Sequence, residues 1–218
     1  MNYSVIVPTL WKSDLEKFYE TLQILCGDER VTEVVLIDND IKFEHPFKSK
    51  IILLKKLKYY PQMDNIFVNP AWNLGVKKSN GDYLIIMNDD FFVRPNILSL
   101  LDSHNNHEDI ENSIFGISTS CYIEEPISSD ILITDNEGRG TGWGCFFILQ
   151  KDKWLDIPSE LKIWFGDDFI TKHILKNNGK VYTFKNIKVS SFSQTTSLQM
   201  FNDVMENDKQ IFFEKYNN

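Results

Sequence analysis

Residues 69–90 of the chain read NPAWNLGVKKSNGDYLIIMNDD, and this stretch decides the expected fold. Asn69 and Pro70 are typical of a helix start, and Asn80-Gly81 is typical of the turn that ends a helix. The apolar run from Tyr83 to Met87 then predicts a buried strand. Because Asn88-Asp89-Asp90 follows this run directly, the sequence predicts three polar side chains at one end of a buried strand.

The triplet Asn88-Asp89-Asp90 has two interpretations. Polar groups at the carboxyl end of a strand lie where open α/β sheets bind ligands. Adjacent carboxylates repel each other unless a positive charge lies between them, so a divalent cation carrying a diphosphate would fit. The same residue types also form ordinary turns. The triplet alone leaves a binding site and a turn equally open.

Two earlier strands are expected to end in the same way. Tyr3 to Val7 is followed by Pro8-Thr9, and Glu33 to Ile37 is followed by Asp38-Asn39-Asp40. A further strand is expected at Ile51 to Leu54, and helices or crossovers separate these runs. This alternation predicts an α/β fold with a mostly parallel central sheet flanked by helices. Since the carboxyl ends of parallel strands share one edge, the polar residues are expected to converge there.

The second half of the chain has a different pattern. Pro95 opens a predicted helix to about Ser103, and a last helix is expected from about Leu198 to Tyr216. No linker separates the halves, so we expect a single domain over residues 1–218 with a smaller, mixed-strand second half. The shorter strands of that half are predicted at Ser113–Ser118, Ile131–Thr134, Cys145–Leu149, Val181–Phe184 and Ile187–Val189.

The segment from Gly138 to Gly144 alternates glycine with other residues. A dinucleotide-binding loop is rejected because a strand rather than a helix follows, so no helix N-terminus is available for a phosphate. We expect instead a loop that borders the site, in which Trp143 offers a flat face to a sugar or a base.

A pair of acids, Asp167 and Asp168, precedes a predicted helix from Phe169 to about Lys176. Either acid could cap that helix, and capping is a sufficient reason for one acid at this position. Two successive acids behind the aromatic pair Trp164-Phe165 exceed what a cap requires. The pair Asp167-Asp168 is therefore a candidate for a role beyond capping, and Trp164 is a candidate acceptor contact.

Composition limits the classes of partner. The 218 residues are 42% hydrophobic and 25% charged, which is ordinary for a soluble globular protein. The net charge of -8 disfavours broad binding to nucleic acid or anionic membranes. Three widely separated cysteines, Cys26, Cys121 and Cys145, predict neither a disulfide framework nor a zinc site and fit the cytoplasm. The sequence shows no leader and no apolar run of membrane-spanning length, so no membrane insertion is expected. No obligate protein partner is expected either.

Five blocks of the sequence, taken together and in order, resemble the family 2 glycosyltransferases with the GT-A fold. The resemblance covers about residues 3–175. It implies a Rossmann-like sheet, with a nucleotide-sugar-binding half over residues 1–95 and an acceptor-binding, catalytic half over residues 96–218. The blocks are YSVIVPTLW (residues 3–11), VVLIDND (34–40), NPAWNLGVKKSNGDYLIIMNDD (69–90), GWGCFFILQKDKWLDIP (142–158) and WFGDDF (164–169).

The resemblance implies roles for the strand ends. The donor would be a nucleoside-diphosphate sugar, with a UDP-sugar as the first choice. Pro8 and Thr9 would border the base, Asp38 would accept a hydrogen bond from its ring N–H, and Asp89 would contact the ribose. Asp90 would coordinate Mg²⁺ or Mn²⁺, because a hard cation prefers carboxylate and phosphate oxygens and stabilises charge on the departing diphosphate.

The resemblance also implies the reaction. The sugar would pass to an acceptor hydroxyl with inversion at the anomeric carbon. Asp168 would act as general base, with Asp167 as the fallback, because the hydroxyl needs a carboxylate to take its proton as it attacks.

The chain departs from the family pattern at three places. Asn88 stands where an acid is usual, so the metal has one carboxylate ligand fewer. Asn88 is still expected to contact the nucleotide sugar. Trp72 stands before Asn73 where an arginine is common, so these two candidate nucleotide-sugar contacts differ from the usual ones. The segment from Val189 to Ser197 lacks the histidine that often serves as a further metal ligand.

The acceptor stays open between a glycan, a lipid-linked sugar and a hydroxymethylated base in DNA, the last as for some phage glycosyltransferases. The basic, aromatic segment from Lys48 to Tyr60 is either a solvated strand edge or a patch that contacts phosphates. The overall acidity disfavours DNA, and a duplex base would have to leave the stack to reach Asp168.

Two other classes of protein are less favoured. The chain could bind a nucleotide sugar without turning it over, but Asp90 and the pair Asp167-Asp168 argue for catalysis. A nucleotidyltransferase would normally show a glycine-rich phosphate loop after the first strand, and PTLWKSD at residues 8–14 contains no glycine.

Overall fold

The computed structural model describes residues 1–93, 98, 110–117, 131–134, 143–184, 190–191 and 201–217. Several predictions lie outside these ranges: the helix from Pro95 to about Ser103 apart from Leu98, the strand Ile187–Val189, residues 138–142 of the glycine-containing loop, the segment 192–197, and Cys121.

The described residues form ten strands and five helices. The strands are β1 (Tyr3–Thr9), β2 (Val31–Asp38), β3 (Leu57–Pro61), β4 (Tyr83–Met87), β5 (Phe91–Phe92), β6 (Ser113–Ile117), β7 (Ile131–Thr134), β8 (Phe146–Gln150), β9 (Lys180–Phe184) and β10 (Ser190–Ser191). The helices are α1 (Leu15–Gly27), α2 (Pro46–Ile52), α3 (Val68–Lys78), α4 (Gly166–Lys176) and α5 (Asn202–Ile211), and a π-helical turn over Phe212–Tyr216 continues α5. None of the described helices is long and apolar enough to span a bilayer.

Eight strands form one sheet in the order β3-β2-β1-β4-β8-β6-β9-β7. The four strands β3, β2, β1 and β4 are parallel, which confirms the predicted parallel core. β8 is antiparallel to both β4 and β6, β9 is parallel to β6, and β7 is antiparallel to β9. The second half of the chain therefore continues the same sheet with mixed strands, as predicted. The assignment of separate functions to the two halves stays a prediction.

The third parallel strand is Leu57–Pro61, and the prediction of a strand at Ile51 to Leu54 is wrong. Pro46 begins α2, and the ring of His45 caps it by accepting a hydrogen bond from the backbone N–H of Phe47. A short apolar run does not by itself distinguish a strand from a helix. Here Ile51 is buried whereas Leu53, just after the helix, is 82% exposed.

Side chains of the parallel strands alternate between two faces, and helices cover both. Burial on both faces explains why these strands are unbroken apolar runs. One face packs Val5, Val7, Val34 and Leu36 with α1 and neighbouring residues, and the other packs Ile6, Val35 and Ile37 with α3 and α4. A Cβ atom at Gly75 would lie 2.2 Å from Cγ2 of Ile6, so glycine at this position lets α3 lie directly on β1.

Candidate active site

One cavity opens at the carboxyl ends of β1, β2 and β4. Because these strands are parallel and adjacent, residues far apart in the chain meet at this edge of the sheet. Pro8-Thr9, Asp38-Asn39-Asp40 and Asn88-Asp89-Asp90 were predicted to converge here. All of these residues except Asp38 and Asp40 line the cavity. The described residues that line the cavity are Pro8, Thr9, Leu10, Asn39, Asn65, Phe67, Val68, Asn88, Asp89, Asp90, Ile163 and Phe201.

A hydrogen bond joins the ends of β1 and β4. The hydroxyl of Thr9 donates to Oδ2 of Asp89 at 2.6 Å, and the same hydroxyl oxygen accepts from the backbone N–H of Trp11 at 2.8 Å. Trp11 has a φ of 59°, which is uncommon for a bulky residue and directs the chain away from the cavity after Leu10. The carbonyl of Asn88 accepts from the N–H of Phe91 at 3.3 Å, so the triplet forms a turn as well as a cavity wall.

The carboxylates of Asp89 and Asp90 lie in a site that disfavours negative charge. Burial raises the pKa of Asp89 to about 6, although the Thr9 hydroxyl acts to lower it. Burial, followed by the neighbouring charge of Asp89, raises the pKa of Asp90 to about 7. A cation bound beside these two adjacent acids would stabilise both carboxylates in their ionised form.

The donor atoms at this site suit a hard divalent cation. Oδ1 of Asp90 is buried and has no hydrogen-bond partner among the described residues, which is costly for a carboxylate oxygen unless something binds it. The described residues contain no group of three or more His, Cys, Asp or Glu placed to hold a metal. Mg²⁺ is commonly held by one or two carboxylates together with substrate phosphates and water. The residues present therefore fit a cation that binds together with a diphosphate.

The side chain of Asp38 lies outside the cavity and is fully buried on the sheet face that carries α1. Its Oδ1 accepts from Nε1 of Trp11 at 2.7 Å and from the backbone N–H of Asp40 at 2.8 Å. Its Oδ2 accepts from the hydroxyl of Tyr59 at 2.5 Å and pairs with Nζ of Lys48 at 2.7 Å. Burial acts to raise the pKa of Asp38, but these contacts lower it below its ordinary value. The predicted hydrogen bond from a base to Asp38 would have to displace one of these donors.

Asn39, the next residue, lines the cavity instead. Successive side chains along a strand point to opposite faces, so Asp38 and Asn39 diverge. The backbone N–H of Asn39 donates to the carbonyl of Thr9 at 2.9 Å, and its Oδ1 accepts from the N–H of Ile66 at 3.3 Å. The Nδ2 group has no partner among the described residues, which leaves it for a ligand. The sequence predicted that Asp38-Asn39-Asp40 reaches this edge of the sheet, but the ligand contact was assigned to Asp38. The alternation of buried residues along the strand could have indicated Asn39 instead.

Trp72 and Asn73 were predicted to contact the nucleotide sugar, but the structure does not bring them to the cavity. The ring of Trp72 is buried edge-on against Phe147 at 5.5 Å. Oδ1 of Asn73 accepts from Nε1 of Trp154 at 3.2 Å and from the N–H of Ile157 at 3.0 Å, and Nδ2 donates to the carbonyl of Ile157 at 2.8 Å. Only the start of α3 borders the cavity, and one turn later the helix faces the core.

The acid pair Asp167-Asp168 lies in the first turn of α4. The residue at the capping position is Phe165, so neither acid is the cap, although acids in a first turn also favour the helix electrostatically. A Cβ atom at Gly144 would lie 2.7 Å from Oδ2 of Asp167, so this loop and the helix are in close contact. Neither acid is among the described residues that line the cavity, but Ile163, a few residues earlier, is.

The predicted acceptor contacts are Trp143 and Trp164. Trp164 is partly buried just before α4, and its backbone is held at both its N–H and its carbonyl. Trp143 begins a short 3-10 turn that ends at Cys145, and its side chain lies outside the described part of the chain. Their role toward an acceptor stays a prediction.

Six other cavity residues were not predicted: Leu10, Asn65, Phe67, Val68, Ile163 and Phe201. Oδ1 of Asn65 accepts from the backbone N–H of Phe67 at 2.8 Å, and Phe67 has a φ of 66°. This side-chain bond holds the unusual turn that brings Phe67 to the cavity. Ile163 and Phe201 come from distant parts of the chain, so no local pattern in the sequence could have indicated them.

Three lysines of the segment from Lys48 to Tyr60 have partners within the protein. Lys48 pairs with Asp38, Lys58 pairs with Glu33, and Lys56 donates to the backbone carbonyl of Asp28. Lysines bound in this way are less available to phosphates. Lys50 and Lys55 are exposed, so only these two of the five lysines in the segment are left for a phosphate-contacting patch.

The structure is that of an α/β protein with a cavity at the carboxyl edge of a mostly parallel sheet. Residues 4–125, more than half of the chain, match the family model described as Glycosyl transferase family 2. The chain therefore belongs to glycosyl transferase family 2, as the sequence blocks indicated. No curated protein sequence matches the chain.

Solved structures share the GT-A fold with this chain. The crystal structure of S. aureus TarS 1-349 is 16% identical with a TM-score of 0.61, and the match covers 99% of this chain and 73% of that one. TarS 1-349 in complex with UDP-GlcNAc is 17% identical with a TM-score of 0.61, over 97% and 67% of the two chains. GalNAc-T7 with UDP, GalNAc and Mn²⁺ is 13% identical with a TM-score of 0.67, over 91% and 44%. This chain thus spans less than half of GalNAc-T7.

Proposed function

We propose that the chain transfers a sugar from a nucleoside-diphosphate sugar to an acceptor hydroxyl. The observation that carries this proposal is the buried, unpartnered Oδ1 of Asp90 beside Asp89 in the cavity. Burial that raises the pKa of both acids makes a cation favourable, and a cation suits a diphosphate. A UDP-sugar is the first donor to test, because the TarS and GalNAc-T7 complexes contain UDP-GlcNAc and UDP.

The order of the strands suggests how the donor lies. Asp89 and Asp90 follow β4, Thr9 ends the adjacent strand β1, and Asn39 follows β2 one strand further. A diphosphate near Asp90 therefore puts the nucleoside toward Pro8, Thr9 and Asn39. In this arrangement Asp89 contacts the ribose, and Asn39 rather than Asp38 presents a polar group to the base.

Asp90 would hold the divalent cation, Mn²⁺ or Mg²⁺, with Asp89 as its neighbour. When bound, the cation supplies positive charge that stabilises the departing nucleoside diphosphate. The Thr9 hydroxyl keeps Asp89 oriented, so the two carboxylates are arranged before the ligand arrives.

Asp168 would act as the general base. It takes the proton of the acceptor hydroxyl as the hydroxyl oxygen forms a bond to the anomeric carbon, and the bond from that carbon to the diphosphate breaks in the same displacement. A single displacement of this kind inverts the configuration. Asp167, whose carboxylate lies against Gly144, is the fallback for this role.

The acceptor is a glycan or a lipid-linked sugar in this proposal. A hydroxymethylated DNA base would require phosphate contacts. Lys48, Lys56 and Lys58 have partners within the protein, which leaves only the exposed Lys50 and Lys55 of that segment to make such contacts. A cytoplasmic location stays a prediction from cysteine usage.

The test is a donor screen by thermal shift with Mn²⁺, followed by release of nucleoside diphosphate with and without trial acceptors. The proposal expects one nucleotide sugar to raise the melting temperature and to be turned over. Binding with no turnover across the acceptor panel, hydroxymethylcytosine DNA included, would support a nucleotide-sugar-binding module instead. Absence of any stabilising donor would contradict both.

A further inference from the structure

Three consecutive backbone N–H groups converge on the carboxylate of Asp208. The N–H of Lys162 lies 3.1 Å from both oxygens, and those of Ile163 and Trp164 lie 2.8 and 3.0 Å from Oδ2. Asp208, in α5, is fully buried. Successive N–H groups that point to one place form a binding site for an anion. Here a carboxylate from the C-terminal helix of the described chain fills that site.

Asn69, at the start of α3, holds the same segment from its other side. Its Nδ2 donates to the carbonyls of Leu161 and Trp164 at 3.1 Å each, and its backbone N–H donates to the carbonyl of Lys162 at 2.9 Å. The polar backbone atoms of residues 161–164 are therefore bound largely by two residues, Asn69 and Asp208. We call residues 161–166 the linking segment.

The end of the linking segment is fixed as well. Phe165 has a φ of 62°, and its ring stacks on Phe212 at 4.8 Å between ring centroids. Phe212 follows Asp208 by four residues, so both contacts come from one side of the C-terminal helix. A Cβ atom at Gly166 would lie 2.1 Å from Oδ1 of Asn69, so α4 begins in close contact with α3.

The linking segment connects two parts of the proposed site. Ile163 lines the donor cavity, and the segment leads directly into α4 with Asp167 and Asp168. A shift of the segment would move the acids relative to the cavity. Displacements of about 1 Å in residues that position a catalytic group can cost roughly 100-fold in rate.

We infer that Asp208 is a positioning residue for sugar transfer, acting through the backbone of residues 162–164. This inference rests on the proposed function. A purely structural role would make Asp208 matter only through the folded fraction of the protein. A positioning role makes it matter to turnover in molecules that are folded and still bind the donor nucleotide.

The test compares Asp208→Asn with Asp203→Asn, an exposed acid on the same helix. The amide of Asp208→Asn keeps the shape but removes the charge and turns an acceptor into a donor facing N–H groups. We expect kcat for release of nucleoside diphosphate to fall at least about tenfold while the Kd for UDP with Mn²⁺ stays within about threefold. Asp203→Asn is expected to match the wild type in both quantities.

Hydrogen exchange separates this inference from the proposed function. In Asp208→Asn, exchange at the amides of residues 162–164 is expected to accelerate while the amides of β1 and β4 stay protected. If the wild type turns over no donor, the proposed function fails. Unchanged exchange at residues 162–164 in Asp208→Asn would separately show that Asp208 does not hold the backbone of these residues. If the wild type turns over the donor, two results for Asp208→Asn would overturn the inference. One is a kcat unchanged from wild type. The other is a loss of kcat equal to the loss in the fraction of molecules that bind UDP, because the variant would then be inactive only where it is unfolded.

A second variant guards against a failure of Asp208→Asn to fold. Phe212→Leu keeps Asp208 and removes the stack on Phe165, together with the ring contacts of Phe212 with Phe213 and Lys172. We expect it to lower kcat by a smaller factor with the Kd for UDP unchanged. A wild-type kcat in Phe212→Leu together with an unfolded Asp208→Asn would overturn the positioning role and leave a structural one.

Discussion

The hydroxyl of Thr9 donates a hydrogen bond of 2.6 Å to Oδ2 of Asp89, and so joins the ends of two strands across a separation of 80 residues. Removal of the donor would leave Asp89 partly buried without its partner and would raise its pKa further. Thr9→Val is expected to weaken UDP binding in the presence of Mn²⁺ by about tenfold, or ~1.4 kcal/mol, whereas Thr9→Ser keeps the hydroxyl and the affinity. Calorimetric titration checks this, and equal affinities for the two variants would contradict it.

Asn39 and Asp38 are expected to respond in opposite ways to substitution. Asn39 lines the cavity, so Asn39→Ala is expected to weaken UDP binding by about fivefold, roughly 1 kcal/mol. Its melting temperature is expected to fall less than that of Asp38→Asn, because among the described residues only the hydrogen bond from the N–H of Ile66 is lost. Asp38 is buried among four donors, so Asp38→Asn is expected to lower the melting temperature clearly. Thermal unfolding and UDP titration of both variants give the comparison. A loss of affinity confined to Asp38→Asn at unchanged melting temperature would restore the direct contact between Asp38 and the base.

These adjacent residues also show how far sequence reasoning reaches. Three of the four parallel strands, β1, β2 and β4, and the convergence of Thr9, Asp89 and Asp90 followed from apolar runs that end in polar residues, because parallel strands share a carboxyl edge. The sequence did not show which of Asp38 and Asn39 contacts the ligand, because this depends on which face of the sheet each side chain points to. A family pattern supplied Asp38, and only the packing showed that Asn39 faces the cavity.

Other parts of the site were not accessible from local patterns. Asp208 binds a segment 44 to 46 residues away, and nothing in its neighbourhood distinguishes it from the exposed acids of the same helix. The run from Ile51 to Leu54 was assigned to a strand because apolar residues alone do not separate a short helix from a strand. Contacts remote in sequence decided both cases.

The ion pair between Lys48 and Asp38 is expected to stabilise the fold in a pH-dependent way. Lys48→Met leaves the charge of Asp38 buried without its cation and is expected to cost about 3–5 kcal/mol in the free energy of unfolding near neutral pH. Because the folded-state pKa of Asp38 is lowered, its contribution is present above the ordinary pKa and is lost as the pH falls through the folded-state value.

The difference in unfolding free energy between wild type and Lys48→Met should therefore shrink as the pH falls below about 4. Urea unfolding at several pH values measures this, with Lys50→Met, an exposed lysine of the same helix, as the control. A difference that is the same at acid and neutral pH would show that lost packing, and not the charge of Asp38, destabilises the variant.

Asp168→Asn is expected to abolish transfer and to leave nucleotide binding almost unchanged. The amide cannot take the proton of the acceptor hydroxyl, so kcat should fall at least about 100-fold, while the Kd for UDP stays within a few fold. Asp167→Asn is the matched comparison on the same helix turn and should keep most of the activity. Full activity in Asp168→Asn with loss in Asp167→Asn would exchange the two roles.

The most direct test of the proposed site is the titration of UDP into wild type and Asp90→Asn, each with Mn²⁺ and with a chelator. Asp90 carries the buried, unpartnered oxygen that makes the cavity suitable for a cation. The wild type is expected to bind UDP at least about tenfold more tightly with Mn²⁺ than with the chelator, and Asp90→Asn is expected to lose this difference. UDP binding that is the same in all four titrations would contradict a cation-dependent nucleotide site at Asp90.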